Sequence, residues 1–265
     1  MKVAVLQMQV GQSRFDENFG RAKELAQEAA SRGAELALLP EMFACGFNYG
    51  ENKKALLAGR DFRAEFLRLA KDCGISLAGT VPCLRGSPQI PSNTMILASA
   101  DGEELATYDK IHLFGVFRED RHVLAGDKIA VQDTPLGRLG FAICYDLRFP
   151  EFFAQMALKK PDLILVSAAW PHPRQSQLKT LAMARAIECQ CHLALSNQAG
   201  AEHFGSNTIE YCGGSAIIEP FGAPLCECKQ DAEDLQIAEA DFSKSEAARA
   251  KIPVLNDRRP DIYFK

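Results

Sequence analysis

The sequence predicts an α/β protein in which helices and sheets pack as a layered sandwich. Short apolar runs alternate with amphipathic helical stretches along the whole chain. In the middle of the chain this alternation gives way to four consecutive strand-like runs joined by turn residues. Such a mixture of strand pairs favours a layered sandwich over a purely parallel, doubly wound sheet.

The N-terminal part of the chain predicts three strands separated by two helices. Alanine and leucine recur at helical spacing over residues 18–31, and Gly33 is a typical helix stop. Gly74 ends a second helical pattern in the same way. The second predicted helix covers residues 61–73, and the three predicted strands are residues 2–8, 35–39 and 75–79.

The rest of the chain predicts a run of strands followed by renewed alternation. Turns that contain Gly, Asp or Pro separate the strands of the run. These strands are residues 93–99, 104–108, 128–132 and 138–144. The later predicted helices are residues 149–158 and 174–190, and the later strands are residues 163–167, 192–196, 215–219 and 235–240.

The domain organisation is predicted to be simple. No Pro-, Gly- or Ser-rich linker and no internal repeat divides the 265 residues, so we expect one domain over residues 1–265. The polar C-terminal segment, about residues 253–265, is typical of an arm laid on a neighbouring subunit. It is equally typical of a loosely ordered terminus, and both alternatives stay open.

Charge and cysteine usage exclude several kinds of partner. The net charge of −4 argues against nucleic acid or an anionic membrane surface, since both attract a basic face. No apolar stretch approaches the roughly 18 residues of a membrane helix. The nine cysteines include no C-x-x-C pair, which argues against a disulfide framework or a zinc site. With an N-terminus typical of a strand and not of a signal peptide, we expect a cytoplasmic protein.

Three reactive side chains each follow a predicted strand: Glu41, Lys110 and Cys144. Catalytic groups gather at the carboxyl ends of strands in α/β proteins, so these three are expected to meet. A cysteine nucleophile needs a base, which Glu41 can supply before it returns the proton to a leaving amine. Lys110 and the backbone N–H of Tyr145 can stabilise the oxyanion. This set of groups suits the cleavage of an amide.

Taken one at a time, the same residues have simpler interpretations. A glutamate after a proline is usually a surface residue or a helix cap, and a lysine after a strand is usually solvated. A cysteine that ends an apolar strand is usually buried in the core. The turn that follows Cys144 favours the nucleophile, because it is expected to expose the thiol near a helix N-terminus and lower its pKa.

Three segments resemble the motifs of the nitrilase superfamily, the carbon–nitrogen hydrolases. Residues 38–43 resemble its glutamate motif, residues 108–114 its lysine motif and residues 144–151 its cysteine motif, in the family's order. The resemblance implies a four-layer α-β-β-α sandwich that pairs into a homodimer. It also implies a Glu41–Lys110–Cys144 triad, no cofactor or metal, and an acyl-cysteine thioester.

The resemblance implies further site residues. Many members carry a second glutamate after the lysine motif, and Glu119 matches it, although a glutamate on a solvated loop is the alternative. The sequence is most similar to bacterial omega-amidases, which act on 2-oxo dicarboxylic monoamides. On that basis the expected pocket walls are Phe47, Phe114 and Trp170, with core packing as the alternative for Trp170.

A substrate carboxylate calls for an arginine, and two are candidates. Arg174 or Arg148 can supply the charged fork. For Arg148 an internal ion pair with Glu151 or Asp146 is an equally good interpretation.

Other functions remain open at this point. Within the family the alternative enzymes are an N-carbamoyl amidohydrolase and a nitrilase. A different class of function is that of a catalytically silent member, which binds a small molecule or a protein. A papain-like enzyme requires a histidine base. His172 and His203 lie outside the strand-end motifs, so neither is expected to serve.

Overall fold

The computed structural model describes residues 1–204 and 207–263. The strands are β1 (Lys2–Gln7), β2 (Leu36–Leu38), β3 (Ser76–Cys83), β4 (Ser92–Ala98), β5 (Glu104–Asp109), β6 (Val131–Thr134), β7 (Gly137–Ile143), β8 (Leu163–Ala168), β9 (His192–Asn197), β10 (Ala199–Phe204), β11 (Asn207–Cys212), β12 (Ala216–Ile218), β13 (Pro224–Glu227) and β14 (Asp234–Glu239). The α-helices are α1 (Phe15–Ser31), α2 (Tyr49–Leu57), α3 (Phe62–Cys73), α4 (Pro150–Ala157), α5 (Gln175–Cys189), α6 (Ser243–Lys251) and α7 (Pro260–Tyr263).

Two six-stranded sheets form the centre of the molecule. Their strand orders are β14-β1-β2-β3-β4-β5 and β13-β12-β9-β8-β7-β6. In both sheets the central pairs are parallel and the outer pairs antiparallel, as the mixed-sheet prediction requires. Strands β10 and β11 form a separate hairpin.

The layers follow from strands that are apolar on both faces. In β1, Val3 and Val5 join the cluster shared with the second sheet, whereas Ala4 and Leu6 pack with α1 and α3. Helices α4 and α5 contribute to the cluster of the second sheet. The order is therefore helix, sheet, sheet, helix, which confirms the four-layer α-β-β-α sandwich.

The differences from the predicted elements have local causes. Helix α2 was not predicted because only Asn52 and Leu56 are buried on it. Its first turn is capped by Asn48, whose side chain accepts from the Glu51 amide (3.3 Å). The predicted strand over residues 128–132 instead begins at Val131, where pairing with Gly140 starts. The hairpin, β13, α6 and α7 were also not predicted.

The C-terminal part of the chain ends in turns and the short, exposed helix α7. The last two residues of the predicted arm, 264 and 265, lie outside the described residues. No helix among the described residues combines the length and apolar character needed to cross a membrane.

The two sheets are joined by hydrogen bonds beside Glu41. The Ser167 hydroxyl donates to the Leu39 carbonyl (2.7 Å), and the Glu41 amide donates to the Ala168 carbonyl (3.2 Å). The Gln198 side chain donates to the Glu41 carbonyl (2.8 Å). The end of β2 is thereby fixed against the ends of β8 and β9.

Candidate active site

Cys144 lies directly after β7, at the start of a 3-10 turn over Cys144–Arg148. Its φ of 44° is unusual for a residue with a side chain and holds the chain in a sharp bend. The Asp146 carboxylate stabilises the bend by accepting from the Ile143 amide (2.8 Å) and the Tyr108 hydroxyl (2.7 Å). The ring of His112 approaches the same carboxylate (2.7 Å). The cysteine motif is therefore held by a buried acidic residue two positions after the thiol.

The prediction of a lowered thiol pKa is wrong, although Cys144 is partly exposed where it lines the pocket. Burial, and then the negative charge of Glu41, raise the pKa of Cys144 well above its ordinary value, despite the positive charge of Lys110. The turn after Cys144 is five residues of 3-10 helix, too short to present the dipole of a full helix. The thiol is therefore neutral until a neighbouring base takes its proton.

Lys110 lies between two glutamates at the bottom of the pocket. Its ammonium donates to Glu41 Oε1 (2.8 Å) and to Glu119 Oε2 (2.8 Å). Lys110 is only 2% exposed, and Glu41 and Glu119 are each 1% exposed. The solvated interpretations of all three residues are therefore wrong.

The charges of this cluster shift one another. Burial raises the pKa of Glu41, and Lys110 lowers it by less. Burial disfavours the charged form of Lys110, but Glu41 and Glu119 outweigh burial and hold its pKa well above the ordinary value. The lysine is thus a fixed positive charge beside a carboxylate that is a stronger base than usual.

Glu119 is carried by a short 3-10 turn, Glu119–Arg121, in the loop after β5. Besides the lysine, the Phe114 amide donates to its Oε2 (2.7 Å). The residue before it, Arg118, has a φ of 56°. These contacts direct the carboxylate inward from a loop whose sequence resembles an ordinary surface connection.

Asn93 was missed by sequence reasoning. Its side-chain amide donates to Glu41 Oε1 (2.9 Å) and to Glu119 Oε1 (3.3 Å), so it bridges the two carboxylates. Together with Lys110 it places two donors on Oε1 of Glu41. The available signal was a polar stretch, Ser92–Asn93–Thr94, at the start of a fully buried strand next to the one that precedes Lys110.

The backbone adds a contact to the sulfur. The Ala169 amide hydrogen-bonds Cys144 and lowers the thiol pKa, although by less than burial raises it. Ala169 follows β8, the neighbour of β7 in the sheet. The first amides of a 3-10 turn have no partner within the turn, which leaves the Tyr145 N–H available beside the sulfur.

Aromatic rings wall the pocket above this cluster. The walls include the three predicted residues, Phe47, Phe114 and Trp170, together with Tyr49, Phe117 and Tyr145. Trp170 is almost fully buried and also lines the pocket, so it packs in the core and forms part of the pocket wall.

Arg148 and Arg174 both line the pocket. The Arg148 guanidinium lies over the Trp170 ring (4.7 Å) and donates to the Gln177 side chain (2.7 Å). The alternative of an ion pair with Glu151 or Asp146 is therefore wrong. The carbonyl of Arg174 accepts from the Trp170 indole (3.0 Å). Neither guanidinium is paired with a carboxylate among the described residues.

No histidine is among the described residues that line the pocket. His172 lies near Asp231 (3.4 Å), and His203 near the Thr208 hydroxyl (3.0 Å). Within residues 1–204 and 207–263, no group of three or more His, Cys, Asp or Glu side chains is arranged to bind a metal ion. The chemistry available in the pocket is that of a thiol, two carboxylates and an ammonium.

An α-β-β-α sandwich with these groups in one pocket defines a class of thiol hydrolases that act on carbon–nitrogen bonds. Residues 2–250 match the carbon-nitrogen hydrolase family, and the chain belongs to it. This confirms the predicted resemblance to the nitrilase superfamily.

Two relatives and one solved structure illustrate the similarity. A 2-oxoglutaramate amidase from Bacillus subtilis (strain 168) is 32% identical over 263 residues, covering 98% of each protein. A deaminated glutathione amidase from Mus musculus is 32% identical over 264 residues, covering 93% of this chain and 80% of that protein.

The solved structure is an amidase from Nesterenkonia sp. AN1, in a mutant form whose active-site cysteine carries the acetamide moiety of fluoroacetamide. It matches this chain with a TM-score of 0.84 and 27% identity, covering 99% of this chain and 95% of that one. The chain is accordingly a carbon–nitrogen hydrolase that acts on amides.

Proposed function

We propose that this protein is an omega-amidase that hydrolyses 2-oxo dicarboxylic monoamides through an acyl thioester on Cys144. The observation that carries the assignment of roles is the crowding of one oxygen of Glu41. Lys110 and Asn93 both donate to Oε1, so Oε2 is left to exchange a proton with the thiol and the leaving amine.

Acylation begins when Glu41 takes the Cys144 proton as the sulfur attacks the amide carbon. The C=O electron pair moves to oxygen, and the oxyanion is stabilised by the Lys110 ammonium and the Tyr145 N–H. The C–N bond then breaks while the protonated Glu41 gives its proton to the nitrogen. Ammonia leaves, and the acyl group remains on sulfur.

Hydrolysis of the thioester repeats the same steps with water. Glu41 takes a proton from water as its oxygen attacks the acyl carbon, and the C–S bond breaks as the proton returns to the thiolate. The carboxylic acid is released and the thiol is restored. Glu119 accepts from Lys110 throughout and keeps the ammonium directed at the oxyanion.

The pocket supports a small linear acyl group that ends in a carboxylate. Its walls are mostly aromatic, which suits the methylene groups of a short acyl chain. Two guanidinium groups on its wall, those of Arg148 and Arg174, are available to a substrate carboxylate. The relative whose name specifies 2-oxoglutaramate covers the full chain and supports the same choice.

A screen for ammonia release tests this proposal. The panel contains 2-oxoglutaramate, deaminated glutathione, simple aliphatic amides, nitriles and N-carbamoyl compounds. We expect 2-oxoglutaramate to have the highest kcat/KM and Cys144→Ala to abolish release without loss of fold. A higher kcat/KM for a nitrile or an N-carbamoyl compound contradicts the proposal in favour of those alternatives. Release from none indicates a silent binding member.

We further infer that residues 1–265 form one domain that assembles as a homodimer in the cytoplasm, with the segment near residues 253–265 as an arm. Exposed apolar side chains on and beside α5, such as Ile187 and Phe221, support self-association. All nine cysteines are free, which supports a reducing compartment. Light scattering should report about twice the chain mass of 29.1 kDa.

A further inference from the structure

Tyr49 is a pocket residue that the proposed mechanism does not use. It is the first residue of α2, and its position is set by Asn48, whose side chain caps the helix. The ring lines the same pocket as Cys144, Lys110 and both active-site glutamates. Its side chain therefore shares the pocket with the reacting groups and with the two arginines, Arg148 and Arg174.

Two neighbouring rings fix the orientation of Tyr49. The imidazole of His122 stacks on it with centroids 5.2 Å apart and planes 14° from parallel. The ring of Phe47 meets it edge to face at 6.3 Å and 72°. Because a tyrosine side chain has two soft torsions, a stacked face and a packed edge leave its hydroxyl little freedom. The hydroxyl is thus preorganised.

The hydroxyl of Tyr49 differs from those of the two buried tyrosines, Tyr108 and Tyr211. Tyr108 donates to Asp146 (2.7 Å), and Tyr211 donates to Glu202 (2.6 Å). Within the described residues the Tyr49 hydroxyl has no hydrogen-bond partner. Burial raises its pKa, as does the negative charge of Glu119, so the O–H remains a proton donor at every working pH. The Tyr49 side chain is partly buried and lines the pocket, so its hydroxyl is available to a ligand there.

We infer that the Tyr49 hydroxyl donates a hydrogen bond to the 2-oxo oxygen of the substrate and thereby selects 2-oxo acyl groups. A neutral O–H suits a neutral carbonyl acceptor, whereas a carboxylate is better matched by a guanidinium. Tyr49 and the arginines divide the recognition of the acyl chain between them. This inference rests on the proposed omega-amidase function.

The test compares 2-oxoglutaramate with glutaramate, the same monoamide without the 2-oxo oxygen. Tyr49→Phe keeps the ring and its stacking on His122 but removes the donor. We expect the variant to reduce the ratio of kcat/KM for 2-oxoglutaramate over glutaramate by about tenfold. Tyr263→Phe, which removes a tyrosine hydroxyl from the C-terminal helix, is the matched control and should keep the wild-type ratio.

The outcomes separate this inference from the function on which it rests. An unchanged ratio in Tyr49→Phe, with wild-type melting temperature and wild-type alkylation of Cys144 by iodoacetamide, overturns the role of Tyr49 and leaves the omega-amidase proposal intact. A wild-type enzyme that shows no preference for 2-oxoglutaramate overturns the proposed function, and the selection by Tyr49 with it. A uniform loss on both substrates shows a structural role and also overturns the inference.

Discussion

Glu41 and Glu202 are both carboxylates that the fold buries almost completely, at 1% and 2% exposure, but their partners differ. Glu41 accepts hydrogen bonds from the Lys110 ammonium and the Asn93 amide, and both groups also donate to Glu119. Glu202, on β10, accepts from the neutral Tyr211 hydroxyl (2.6 Å), and burial raises its pKa to about 7. Burial raises the pKa of both carboxylates. At Glu41 the positive charge of Lys110 offsets part of that rise, whereas at Glu202 the offset comes from neutral hydrogen-bond donors.

The surroundings of Glu202 show what its burial does for the structure. The carboxylate lies against Gly46, which has a φ of 65°, and a Cβ at that position would collide with Glu202 Oε1. Gly46 belongs to the loop that leads from Glu41 to Phe47. The Glu202–Tyr211 pair thus supports the pocket wall from behind, while the Glu41 cluster faces the thiol.

The largest expected effect comes from neutralising each carboxylate in turn. Glu41→Gln removes the proposed base and should lower kcat/KM for the best amide about 10²- to 10⁴-fold. Glu202→Gln is the matched control and should remain within about threefold of wild type, since Gln can still accept from Tyr211. Steady-state ammonia release measures both. Equal losses in the two variants would remove the functional distinction between the carboxylates.

A smaller effect is expected from Asn93, whose side-chain amide donates to Glu41 and to Glu119. Asn93→Ala removes one hydrogen bond from each active-site carboxylate and should lower kcat/KM about 10- to 100-fold. With that donor lost, the pKa of Glu41 rises further, so the acidic limb of the kcat/KM profile should move to higher pH. Rate–pH profiles measure the shift.

The control for Asn93 is a second buried asparagine. Asn18 donates to the Gly11 carbonyl (2.8 Å) far from the pocket. Asn18→Ala should lower the melting temperature without moving the pH profile. If Asn93→Ala likewise changes stability alone, Asn93 is part of the scaffold and does not position Glu41.

A third expected effect concerns folding and not catalysis. The folded-state pKa of Glu202 is about 7, above the ordinary 4.5, so the folded protein holds its proton longer than the unfolded chain. Its contribution to stability is therefore complete below about pH 4.5 and is lost as the pH rises through 7, by about 3 kcal/mol.

Thermal melts from pH 5 to pH 8 test this dependence. Glu202→Gln should lose less stability over that range than the wild type, because it has no proton to release. His192, whose pKa burial lowers to about 4, acts in the opposite direction in both proteins and cancels in their difference. Parallel curves for the two proteins would show that Glu202 does not titrate in this range.

The fold was largely predictable because its strands carry a strong local signal. Strands β1, β7, β8 and β9 are apolar on both faces and flanked by clear turn residues, so their positions followed from short windows of sequence. Helix α2 was missed because it buries only Asn52 and Leu56, and the β10–β11 hairpin because it buries the charged Glu202 beside Tyr211 and Cys212. Their stability depends on the loops and sheets that surround them.

The sequence by itself determined the α/β layering and the order of Glu41, Lys110 and Cys144 at the ends of strands. Only the tertiary structure decided the ionisation of the thiol, the bridge formed by Asn93 and the free hydroxyl of Tyr49. Asn93 and Glu41 are 52 positions apart, and no local pattern reports such a hydrogen bond. Burial and neighbouring charge, which fix the pKa of a group, exist only once distant segments have packed together.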